Sequence, residues 1–201
     1  STLRSLSSAQ AQLQSSGAVD TDADGGGEYG YFAELAGVQP LRISAAGAPA
    51  AGVVGPDELT PAVLSAAFGN VNAQGQVTRS GYIFQLYLPA ATVGAATAGI
   101  AEDAGGGKLG APFPDSDNNE VLWCCYAWPI NAAQTGNRVF FMNQEGDLMQ
   151  TNNRNAAPYT GTAGGPAFDA IYTVGGDMAS AISIGGVPLA AVDGNTWVPV
   201  Q

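Results

Sequence analysis

Three aspartates at alternate positions, Asp20, Asp22 and Asp24, are followed directly by Gly25. Alternate carboxylates ahead of a turn-permitting glycine can converge on one hard cation, and D-x-D-x-D-G is the opening half of a calcium loop. The position that would carry a bidentate Glu in a helix-loop-helix calcium site is Tyr31 here, whereas Glu28 stands at the ninth position of the loop. Asp20, Asp22, Asp24 and Glu28 therefore form the candidate calcium set, with a solvated acidic turn as the alternative reading. No other cofactor is required. A second acidic string, Asp115, Asp117, Asn118, Asn119 and Glu120, offers similar oxygen donors without a glycine and reads first as an Asx-rich turn.

Other chemistry is thinly supplied. The 201 residues contain no histidine, which removes the commonest general base and the usual partner of a nucleophilic Ser or Cys. Zinc lacks its ligands as well, because the only two cysteines, Cys124 and Cys125, are adjacent. Adjacent residues of a strand point to opposite faces, so the pair reads as two small buried hydrophobes, reduced and structural. No catalytic residue is assigned, and the chain is expected not to be an enzyme. The aromatics Tyr82, Tyr87, Trp123, Tyr126, Trp128, Phe140 and Phe141 suit a sheet core, with a sugar-stacking platform as the other use.

Charge narrows the partners. Six Lys and Arg against 17 Asp and Glu give a net charge of −11, which repels a phosphate backbone and argues against nucleic acid. Only 11% of residues are charged while 46% are apolar, so the chain folds but wears a neutral polar surface, one that favours repeated self-association. No apolar run in the chain is long enough to span a membrane. No N-x-S/T sequon occurs, while the many Ser and Thr leave O-linked glycans open.

The elements that would position these groups follow from period and punctuation. Residues 2–16 lack Gly and Pro and place Leu3, Leu6, Ala9 and Leu13 on one helical face, with Gly17 as the stop. That stripe is predicted to be the self-assembly surface, buried partly on its own sheet and partly on a neighbouring subunit. A loop region with short helices spans 18–69, including a helical turn over 31–36 and a helix from Thr60 and Pro61 through Phe68. From residue 70 onward the period becomes that of strands. Segments 81–89 and 121–129 read as strands, the second apolar on both faces and so central, and 138–151 as a hairpin around Gly146. Residues 90–110 read as a surface insertion, and 169–174 and 197–200 as further strands. The expectation is a single domain over 1–201 of α+β class, an N-terminal amphipathic helix packed on an antiparallel sheet with long Gly/Ala-rich loops.

Two stretches carry a family resemblance: STLRSLSSAQAQLQSSGAVDTDADGGGEYGYF at residues 1–32, and the run from GYIFQLYLP through WCCYAWPI to NRVFFMNQEGDLMQT. Together they resemble the globular region of bacterial type IV pilin-like proteins, including the pseudopilins of type II secretion. The family's long apolar N-terminal run, opened by a methylated Phe or Met, is not in this sequence; it is either removed or never used, and if never used the subunits join through their globular surfaces rather than a central helix bundle. The resemblance implies a structural subunit of a bacterial extracellular or cell-surface filament, a helical homopolymer whose partners are copies of itself. A secreted carbohydrate-binding module and a carboxylate-dependent glycosidase are the alternatives.

Overall fold

The computed structural model describes residues 1–201. In chain order its elements are α1 (Thr2–Ser16), α2 (Phe32–Leu35), β1 (Arg42–Ser44), β2 (Pro49–Ala51), β3 (Gln76–Arg79), β4 (Tyr82–Pro89), β5 (Gly99–Ala101), α3 (Ser116–Asn119), β6 (Cys124–Pro129), β7 (Arg138–Asn143), β8 (Met149–Asn152) and β9 (Val198–Pro199). β1 and β2 form a small antiparallel pair. The other seven strands make one antiparallel sheet in the order β3-β4-β6-β7-β8-β9, with β5 also paired to β4. Its longest ladder joins β4 to β6, from Tyr82 opposite Pro129 to Tyr87 opposite Cys124.

β6 explains why the sheet is buried on both sides. All six of its residues are buried, and the pleat sends Cys125 and Ala127 to one core and Cys124, Tyr126 and Trp128 to the other. The first core gathers Leu3, Leu6, Leu13, Phe32, Leu35 and Phe68 with Phe84, Leu86 and Met142 of the sheet. In the second, Ile83, Val139 and Phe141 pack against Ile171, Tyr172, Met178 and Trp197, all supplied by C-terminal chain with little regular structure.

The expected class, a helix packed on an antiparallel sheet, is overturned. The architecture is sheet-rich, and of the three α-helices only α1 exceeds four residues. A single helix about 22 Å long cannot serve as a layer over seven strands. Most of the cover on both faces comes instead from irregular chain that hydrogen-bonds to itself. The stripe of α1 is also reassigned. Leu3, Leu6, Ala9 and Leu13 are at most 4% exposed within one chain, which leaves none of that stripe free for a neighbouring subunit.

Three local expectations also change. Thr60 and Pro61 start no helix, and only a 3-10 turn at Ala66–Gly69 forms there. Residues 169–174 are turns, with Tyr172 bridged to Ile182. The supposed surface insertion carries β5 and two buried charged residues, Glu102 and Lys108, because Glu102 turns inward to accept backbone N–H groups from Phe32, Ala33 and Gly107.

Candidate metal centre

After Gly17 ends α1 in the left-handed conformation, the acidic string folds on its own side chains. Asp20 accepts from the N–H groups of Asp24 and Gly25, Asp22 from Asp24, and Asp24 from Gly26, at 2.7–3.3 Å. These Asx-type bonds satisfy backbone N–H groups of a loop that makes no ladder, and Gly25, at φ 98°, takes a conformation other residues disfavour.

The second string approaches from 93 residues further along the chain. Asp115 caps α3 by accepting from Asn118 N–H, and its own N–H donates to Pro89 at the end of β4. Asn118 Nδ2 donates to the carbonyl of Ala90 at 2.9 Å, fixing α3 to the same strand end. Tyr29 N–H donates to the carbonyl of Asn119.

Glu28 is the joint between the two strings. Its fully buried carboxylate accepts from Thr21 N–H, Thr21 Oγ1, Ser116 Oγ at 2.8 Å, Asn119 Nδ2 at 3.1 Å and Arg42 Nη1 at 3.0 Å. Arg42, buried too, also donates through Nε to Glu34 at 3.0 Å and through Nη2 to the carbonyl of Tyr29. One arginine facing two carboxylates provides the charge-assisted bonds that a buried ion triad needs.

The result is a cluster in which carboxylate oxygens of Asp22, Asp24, Asp117 and Glu120 lie within 4.8 Å of one another, a set of acidic residues that could hold a metal ion. This redraws the expected set. Asp22 and Asp24 belong to it, whereas Asp20 turns back to its own loop and Glu28 is consumed by Arg42 and the α3 donors. Asp117 and Glu120, placed in an Asx-rich turn by the sequence reading, supply the remaining oxygens. The signal was the incomplete D-x-D-x-D-G string itself, since a calcium loop missing its last ligand invites one from elsewhere in the chain.

The donors suit a hard cation, being carboxylate oxygens throughout. Glu120 fits the part closely. Its Oε1 is sealed from solvent and takes no hydrogen bond from the protein. Desolvation raises the Glu120 carboxyl above its ordinary range, and the like charges of Asp24, Asp22 and Asp117 push it further. A Cβ on Gly26 would fall 2.0 Å from that Oε1, so glycine there makes room for the carboxylate.

The other candidate groups lie elsewhere. Trp123, Tyr126, Trp128 and Phe141 are at most 1% exposed, which withdraws them from any sugar-stacking platform. Tyr82 and Phe140, partly exposed, form a tilted pair at 5.8 Å. Cys124 and Cys125 are both buried free thiols, and burial raises both well above the usual thiol range. In the comparisons with known proteins, no family model, no curated protein and no solved structure matches this chain.

Proposed function

We propose that this chain is a structural subunit of a bacterial extracellular filament, non-enzymatic, with calcium at Asp22, Asp24, Asp117 and Glu120 clamping the loop after α1 to α3. The observation that carries the reading is the convergence of two acidic strings from distant parts of the chain on one point. A cation there ties the segment leaving α1 to the segment leaving β4, a stabilising device suited to the millimolar calcium outside cells. The low-charge surface and the resemblance of residues 1–32 and 81–151 to pilin-like proteins support the filament part. So does the commitment of Glu28, Glu34, Arg42 and Glu102 to holding loops together.

A ligand that binds only the folded form stabilises it by RT ln(1 + [L]/Kd), about 2.7 kcal/mol at a hundredfold excess. Thermal unfolding in calcium and in chelator, with electron microscopy of the same samples, tests both parts. A calcium-dependent rise in Tm that disappears in Asp117→Asn/Glu120→Gln is the expected result, together with regular fibres. A Tm indifferent to calcium removes the clamp, and a protein that stays monomeric at high concentration removes the filament.

A further inference from the structure

The molecule is electrically polarised along α1. Of its six Lys and Arg, Arg42 is buried with Glu28 and Glu34, and Lys108 is paired with Asp103. The other four, Arg4, Arg79, Arg138 and Arg154, are all exposed and make no salt bridge. They gather at one end. Arg4 lies in the first turn of α1, and Arg79 lines a groove with Ser1, Ser80, Tyr82 and Phe140. Arg138 acts electrostatically on Tyr82 of that groove and shares a polar pocket with Arg154. Asp193 in the C-terminal chain accepts hydrogen bonds from Tyr159, Asn195 and Trp197, and the exposed Asp147 next to Leu148 of the groove is a single carboxylate against four arginines.

The opposite end is acidic. Asp20, Asp22 and Asp24 follow the C-terminus of α1, about 22 Å from its start. β4 runs the same way, from Tyr82 in the basic-end groove to Pro89, whose carbonyl receives Asp115 and brings in Asp117 and Glu120. Beside them Val121 is 58% exposed, while the basic end has the partly apolar groove.

We infer that copies of this chain associate head to tail, the Arg4/Arg79/Arg138/Arg154 end of one docking on the Asp20/Asp22/Asp24/Asp117/Glu120 end of the next. The inference rests on the filament reading and supplies its contact surface. Two different patches at opposite ends make a heterologous contact, which extends as an open fibre when the rotation does not close. Salt gives it a distinctive sign. A net charge of −11 makes copies repel, so an apolar contact strengthens as salt screens that repulsion, whereas a contact between opposite charges weakens.

The test is sedimentation at low and high ionic strength, in chelator, of the wild type and two charge-reversed variants. Arg79→Glu/Arg138→Glu takes the four-arginine end from +4 to 0, and Asp24→Lys/Asp117→Lys takes the five-carboxylate end from −5 to −1. Wild-type association should fall on the order of tenfold as the screening length drops from about 30 to about 8 Å. Each variant should be monomeric alone, and the equimolar mixture should form pairs through the two unmodified ends. Arg4→Glu/Arg154→Glu makes the same change in charge at two other exposed positions, should packing of Arg79 on Phe68 matter for folding. Fibres that persist in the reversed variants, or association that grows with salt, overturn the head-to-tail contact while leaving the filament reading intact. A wild type monomeric under every condition overturns that reading and this contact with it.

Discussion

Arg42 holds two buried carboxylates and one carbonyl, and its loss would strand both charges. Replacing it with Met should cost about 3–5 kcal/mol in urea unfolding, the usual penalty for removing one partner of a buried pair. Gly26→Ala should behave quite differently. The clash it creates is with the mobile tip of Glu120, so stability in chelator should change little while the Tm gain from calcium is lost. Glu102 adds a pH dependence. Burial pushes its carboxyl up to about 8, only partly opposed by N–H groups of Gly107, Ala33 and Phe32. Its ordinary value is about 4.3. Because the folded value is the higher one, its contribution to stability is complete below about 4.3 and is lost as the pH climbs toward 8, at up to about 1.4 kcal/mol per pH unit. Stability of the wild type relative to Glu102→Gln should therefore decline from pH 5 to pH 8, and a flat difference across that range would refute it. Sequence alone pointed to none of these three residues. An isolated Arg between loops, a Gly among glycines and a Glu in an Ala/Gly stretch acquire their roles from partners far along the chain.

Elements with a strong period were legible. The limits of α1, the strand at 81–89, the two-faced strand at 121–129 and the hairpin at 138–151 all follow from local apolar spacing, and each is present, the two-faced strand starting only at Cys124. The fold class was not legible, because the layers covering the sheet are irregular and have no period to detect. Half of the carboxylate cluster was recognised as a cation loop. Its completion depends on α3, a four-residue helix docked by Asn118 on the end of β4, and no spacing rule connects residues 22 and 117. That docking gives a prediction at this scale. Asn118→Ala removes the bonds to Ala90 and Thr92 and should loosen α3, lowering calcium affinity although Asn118 lies outside the cluster. Isothermal titration would measure it, and unchanged affinity would show that Glu28 alone aligns the two strings.

At the scale of the whole molecule, the C-terminal chain is as much a part of the interior as the sheet. Trp197 is fully buried against Tyr126 and Phe141, with its indole N–H donated to Asp193. Trp197→Ala should cost about 3–5 kcal/mol, measured as a drop in the urea midpoint, although the residue stands only four positions before Gln201.

The adjacent cysteines give that interior a built-in clock. Cys125 can meet a thiol reagent only when the α1 side of the sheet opens, and Cys124 only when the C-terminal cover lifts. Pulsed alkylation of the unmodified protein, resolved by fragment mass, would time the two events separately with neighbouring atoms of one strand. Equal labelling rates would mean that both faces open in one cooperative step. Unequal rates would divide the molecule into two units of different local stability and identify which of them yields first.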